Sequence, residues 1–140
     1  MAPLLALILA LVACGGRQAA PAAGSPAPAR RSDVTVGDIQ LGRTVAPDRR
    51  VAQPGDSFAP GDMIYASVVT EGTAPSAQLK AKWTRGGSEV VAESSLDIAP
   101  SGTTVSEFHI SKADGLPRGA YQVEVFLDEV SAGKRSFSVQ

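Results

Sequence analysis

Catalysis needs a nucleophile with a base, or a set of metal donors, and this chain of 140 residues holds one histidine, one cysteine and two methionines. His109 is the only side chain whose unperturbed pKa lies near neutrality. A hydrolase would set it against a nucleophile such as Ser106. The run Thr103–Ser111 alternates, so Ser106 shares a face with Phe108 and Ile110 while His109 points the other way. Residues on opposite faces of one strand cannot exchange a proton, and His109 reads as a surface residue. GxSxG, HExxH and a complete P-loop are all absent; Gly133-Lys134-Arg135-Ser136 lacks the hydroxyl directly after the lysine and the upstream glycine. Copper would accept the thioether of Met63 and the imidazole of His109. Two donors make a poor site, and Met63 reads as core filler. The turns Pro54-Gly55-Asp56 and Pro60-Gly61-Asp62, with Asp128-Glu129, offer oxygens for calcium. Calcium takes about 6–8 oxygens, whereas Pro-Gly at the centre of a type II turn explains these segments without an ion. No metal site and no catalytic residue is assigned.

The cysteine, Cys14, closes an apolar run from Pro3 to Ala13 (PLLALILALVA). A bilayer-spanning helix needs about 20 apolar residues, so this run is too short to cross. It matches the apolar region of a secretory signal, with a small residue just before the cleavage point. Leu11-Val12-Ala13-Cys14 resembles the lipobox of bacterial lipoproteins. That resemblance implies cleavage before Cys14 and a covalent diacylglycerol and fatty acyl group on it; no other cofactor is expected. Several acyl chains anchor durably where a single one binds marginally. Met1-Ala2 carries no Lys or Arg, a departure from the usual signal. Gly15 stands where an aspartate is associated with inner-membrane retention in enterobacteria. The resemblance therefore implies the periplasmic face of the outer membrane.

Residues 15–32 (GGRQAAPAAGSPAPARRS) hold Ala, Pro, Gly and Ser without hydrophobic periodicity, and so cannot build a core. As a Pro-stiffened linker they would reach about 55 Å at about 3.1 Å per residue. Arg17, Arg30 and Arg31 lie before the first acidic residue, Asp33. The remainder carries ten Lys/Arg against fourteen Asp/Glu, a net −4. An acidic domain without a basic stripe argues against nucleic acid, whose phosphates must be neutralised. The expected organisation is a signal peptide over 1–13, a lipidated cysteine and flexible linker over 14–32, and one domain over 33–140.

Within 33–140 the pattern is strand after strand, punctuated by turns. Val34–Leu41 is a first, weaker strand. Met63–Thr70 puts Ile64, Ala66 and Val68 on one face, and Ala77–Thr84 does the same with Leu79, Ala81 and Trp83. Gly86-Gly87 then predicts a two-residue hairpin. Glu89–Ile98 alternates with Val90, Ala92, Leu96 and Ile98 inward. Thr103–Ser111, Gly119–Asp128 and Ala132–Val139 complete seven antiparallel strands, the arithmetic of an immunoglobulin-like β-sandwich. Trp83 sits mid-strand where such sandwiches keep a core tryptophan, and Leu116-Pro-Arg-Gly-Ala-Tyr121 resembles a tyrosine corner. With one cysteine there is no inter-sheet disulfide, so apolar packing must replace it. Tyr65 and Phe126 alternate out of phase with their core neighbours, which marks them as candidate interaction residues.

The segments Phe58-Ala-Pro-Gly-Asp62, Ile64-Tyr-Ala-Ser-Val68, Leu79-Lys-Ala-Lys-Trp83, Glu107-Phe-His-Ile-Ser111, Gly119-Ala-Tyr-Gln-Val-Glu-Val125 and Phe137-Ser-Val139 resemble an immunoglobulin-like module of uncharacterised proteobacterial lipoproteins. The resemblance implies fold and location, and no activity. Asp128-Glu129 replaces the Asp-Gly of that module's hairpin tip, which predicts a longer or reshaped turn. The expected function is a non-catalytic, membrane-tethered envelope protein whose sandwich binds another protein or a wall component. The alternative is periplasmic handling of copper or calcium. Replacing the thiol tests the anchor: Cys14→Ser should abolish incorporation of labelled fatty acid, and label retained on the variant would refute the lipobox.

Overall fold

Alternation with period two sets the architecture, because each strand buries one face and wets the other. The computed structural model describes residues 33–140; Leu11, Val12, Ala13, Cys14 and the linker lie outside the described residues. Eight strands follow in order: β1 (Thr35–Gly42), β2 (Ser57–Phe58), β3 (Ile64–Glu71), β4 (Ala77–Arg85), β5 (Glu89–Ile98), β6 (Thr104–Ile110), β7 (Gly119–Leu127) and β8 (Val130–Val139). They form two sheets, β1-β3-β6 and β2-β8-β7-β4-β5, in an immunoglobulin-like sandwich.

The core lies between them. One sheet supplies Ile39, Leu41, Ile64, Ala66, Val68, Phe108 and Ile110; the other supplies Leu79, Ala81, Trp83, Tyr121, Val123, Val125, Phe137 and Val139. The rings of Phe58, Trp83 and Tyr121 all meet Phe137, at centroid distances of 5.7, 5.8 and 5.2 Å. The Nε1 of the fully buried Trp83 has no hydrogen-bond partner among the described residues. Gly72 has φ +120°, and a side chain there would run into the Asp33 carbonyl, so only glycine lets the Asp33–Val34 backbone come this close to the end of β3.

Several sequence expectations change. The eighth strand, β2, has two residues and pairs parallel with β8 (Ser57↔Ser138, Phe58↔Val139), so the sheets are not wholly antiparallel. Two residues carry no readable period. Flanking bonds hold the strand instead, with Ser138 N donating to Asp56 O at 2.8 Å and Gln140 N to Phe58 O at 2.9 Å. The β4–β5 loop has three residues, since Arg85 pairs with Glu89; Gly86 and Gly87 both take positive φ (62° and 87°). The Asp128-Glu129 turn remains a two-residue one, with Leu127 opposite Val130 and φ of 48° and 66°. Two non-glycine residues hold this left-handed geometry because both bond to β4. Asp128 accepts from Gln78 N at 2.9 Å, and Glu129 takes the Lys80 ammonium at 2.6 Å.

The largest revision is in β5. A bulge between Trp83↔Ala92 and Thr84↔Val90 leaves Val91 without a partner on β4. One extra residue reverses the parity of everything before it. Val91 therefore packs on the core beside Ala92, and Val90 turns outward with 51% of its surface exposed. Leu96 keeps the inner face opposite Leu79, yet remains 38% exposed at the margin of the sheet.

Tyr121 donates its hydroxyl proton to the Pro117 carbonyl at 2.6 Å, closing the β6–β7 connection. Tyr121→Phe should lower stability by about 0.5–1.5 kcal/mol, the worth of one hydrogen bond. Denaturant unfolding measures this, and an unchanged midpoint would assign the bond no structural weight.

Candidate functional site

β5 ends the five-stranded sheet and β6 ends the three-stranded one. Their free edges lie on the same side of the sandwich, where they leave a cleft of about 230 Å³. Val91 and Ala92 from β5, Ile110 from β6 and Leu116 from the following loop form its apolar lining, with His109 and Lys112 at the rim. Leu116 is held there by its own N–H, which donates to the Pro60 carbonyl at 2.7 Å.

The outer face of the five-stranded sheet is a lattice of opposite charges. Lys80 meets Glu129 at 2.6 Å and Glu93 at 3.9 Å, and Lys134 meets Glu124 at 3.4 Å. The hydrogen bond to Glu129 holds the Lys80 ammonium above its ordinary pKa. The Ser131 hydroxyl, donating to Glu124 at 2.6 Å, and then Lys134 hold that carboxyl below the usual range.

The residues singled out from sequence do not converge. Ser106 is buried opposite Val68, and His109 is exposed opposite Tyr65, so the two cannot form a nucleophile–base pair. His109 instead lies against the Tyr65 ring, centroids 5.7 Å apart. Tyr65 and Phe126 are both half-buried, on the outer faces of different sheets, and make no common patch. Met63 is not core filler: it precedes β3 and stays 41% exposed. Trp83 and Tyr121 occupy the core.

In two of the three acidic turns the carboxylates are engaged internally. Asp62 Oδ2 accepts from Ala59 N at 2.8 Å and from Arg43 Nε at 2.6 Å. Arg43 then lies over the Phe58 ring, 5.3 Å from its centroid. Asp128 and Glu129 bond to β4 as described. Among the described residues no three His, Cys, Asp or Glu side chains gather in a way that could hold a metal ion. An exposed sheet edge is a docking surface that a sandwich of this kind can offer, but the sequence does not identify which strand is the edge. Val90-Val91, two apolar neighbours interrupting an alternating strand, marks only the bulge in β5.

No family model matches the chain, and no curated protein does. Solved structures do. An immunoglobulin-like protein of Pseudomonas aeruginosa aligns over 79% of this chain and 99% of its own, at 13% identity and a TM-score of 0.51. The alkylpurine DNA glycosylase AlkC of Pseudomonas fluorescens, solved with DNA containing an abasic site analogue, aligns over 78% of this chain at 15% identity and a TM-score of 0.51. A β-glucosidase involved in saponin metabolism from intestinal bacteria aligns over 79% at 14% identity, again with a TM-score of 0.51. The chain spans 31% of the glycosylase and 16% of the glucosidase. At these identities the likeness is one of fold.

The Asp62 carboxyl, held low by the Ala59 N–H and then by Arg43, shares its direction of shift with Glu124. A carboxyl with a depressed folded pKa adds stability above its unfolded pKa and loses it as pH falls through the folded value. Melting temperature should therefore fall as the medium is acidified below about pH 4. Asp62→Asn with Glu124→Gln should flatten that slope. A slope identical to wild type would place the acid sensitivity elsewhere.

Proposed function

We propose that this chain is a lipid-anchored bacterial envelope protein whose sandwich binds another protein and carries out no catalysis. Leu11-Val12-Ala13-Cys14 supports the anchor, and Gly15 supports the periplasmic face of the outer membrane. The Ala, Pro, Gly and Ser composition of residues 15–32 supports a tether between that anchor and the domain. One observation carries the binding reading: β5 is an open sheet edge with Val90 and Leu96 exposed, and Val91 and Ala92 of the same strand line a cleft of mixed polar and apolar character. Proteins commonly cover or blunt such edges, and an uncovered one is a template for strand addition.

The fold neighbours fit a module of this kind. The Pseudomonas aeruginosa protein is the same sandwich on its own, and in the two enzymes it is a minor part of a longer chain. The DNA in the glycosylase structure belongs to that protein. Here the net −4 of residues 33–140 disfavours a phosphate backbone.

Photo-crosslinking residues placed singly at Val90, Tyr65 and Phe126 in the native envelope should give a discrete adduct from at least one of them. Absence of adducts at all three would sink the binding reading. Calcium and copper should leave the melting temperature unchanged, because a ligand specific for the native state must raise it. A rise with either ion would assign the domain to metal handling instead.

A further inference from the structure

We infer that the free edge of β5 is a docking strand for an extended basic segment in which Lys or Arg alternates with apolar residues. This rests on the protein-binding reading and names the chemistry of the partner. Four observations carry it. The ten residues Glu89–Ile98 bond to β4 on one side, and β5 closes its sheet on the other. A row of backbone donors and acceptors is thus set at strand spacing for an added strand.

The charge of the edge has one sign. Glu89, Glu93 and Asp97 lie along β5, with no Lys or Arg in the strand. From β4, Arg85 meets Glu89 at 3.3 Å, Lys80 meets Glu93 at 3.9 Å, and Gln78 Nε2 donates to Asp97 at 3.3 Å, so Glu93 and Asp97 keep acceptor capacity on their open side. Glu93 pairs with Lys82 and Asp97 with Gln78, which puts both carboxylates on the outer face. An added strand continues the pleat, so its outward side chains meet Glu93 and Asp97. Its inward side chains fall on Leu96 and over the cleft lined by Val91, Ala92, Ile110 and Leu116. Period two then writes the partner's pattern: basic outward, apolar inward.

The same charges disfavour a second copy. Twofold self-pairing is antiparallel; registers centred on Glu93, Ser95 or Asp97 set acid directly opposite acid, and those centred on Ser94 or Leu96 set the acids on the diagonal. Like charges directly opposite are destabilising. Bulges and charges at sheet edges ordinarily discourage pairing. Here a single sign makes the edge selective, repelling copies of itself and acidic strands while attracting basic ones.

Amide hydrogen exchange on the full chain tests this with synthetic peptides as probes. A nine-residue peptide alternating Lys with Val should slow exchange of the β5 amides that point away from β4. A peptide of equal composition with its lysines and valines in separate blocks should bind at least tenfold more weakly, and one alternating Glu with Val should give no protection. Glu93→Lys with Asp97→Lys should weaken the first peptide at least tenfold. Glu93→Gln with Asp97→Asn should weaken it by less, and carries the test if the reversed variant does not fold. Protection located elsewhere, equal binding of the blocked peptide, or affinity unchanged in the charge variants would overturn the proposal. So would protection of β5 that grows with protein concentration in the absence of peptide, which would make a second copy the occupant. An envelope adduct through Tyr65 or Phe126 that survives the β5 changes would remove the docking strand and leave the binding reading standing.

Discussion

Phe137 touches three other aromatic rings, so four of the chain's seven aromatics meet at one point of the five-stranded sheet. They come from β2, β4, β7 and β8, and belong to one core cluster with the apolar residues of the facing sheet. Each ring pair adds about 0.5–1.5 kcal/mol beyond its buried area. Three pairs together are comparable to the roughly 2–4 kcal/mol that a disulfide typically contributes. Burial of the Trp83 ring brings about 4–6 kcal/mol at about 25 cal/mol per Å². Its partnerless N–H costs about 1–3 kcal/mol, so the tryptophan remains a net stabiliser. The junction also explains β2: two residues suffice as a strand because Phe58 is fixed by Phe137 on one side and Arg43 on the other.

With the interior secured this way, the surface charges have another role. The ion pairs of the outer face are solvent-exposed, and such pairs are worth about 0–1 kcal/mol each. Lys80 and Lys82 sit in β4 between the acids of β5 and β7, so the middle of the sheet is nearly neutral. At β5 the acids are met from the β4 side alone, since that strand has no neighbour on its other side. The acidity of the edge follows from where the charge lattice stops.

Period-two patterning made most of the fold legible. Leu79, Ala81 and Trp83, or Tyr121, Val123 and Val125, alternate with polar residues and sit where that alternation puts them. The corner at Tyr121 was equally readable, because Pro117 and Gly119 fix the chain just before it. What escaped was set by single residues or by distant contacts. β2 is held by backbone bonds to β8, some eighty residues away in sequence. The Asp128-Glu129 turn keeps its length through contacts with Gln78 and Lys80. Met63 lies just before β3, outside the face that its neighbours suggested. Of the candidate site, Val90 faces solvent where alternation alone puts it inward, because the Val90-Val91 doublet signals a break in phase without saying which of the two turns out.

The bulge at Val91 divides β5 into two half-strands in opposite phase. A strand in the middle of a sheet must satisfy a ladder on each side, so a one-residue insertion there would misalign two neighbours at once. β5 answers to β4 alone. Gaining or losing a single residue in it would exchange the side chains offered to solvent and to the margin of the core ahead of that point, with only one neighbouring strand to realign. The margin of the sandwich is therefore where its surface can be rewritten by length as well as by substitution, with the aromatic junction untouched.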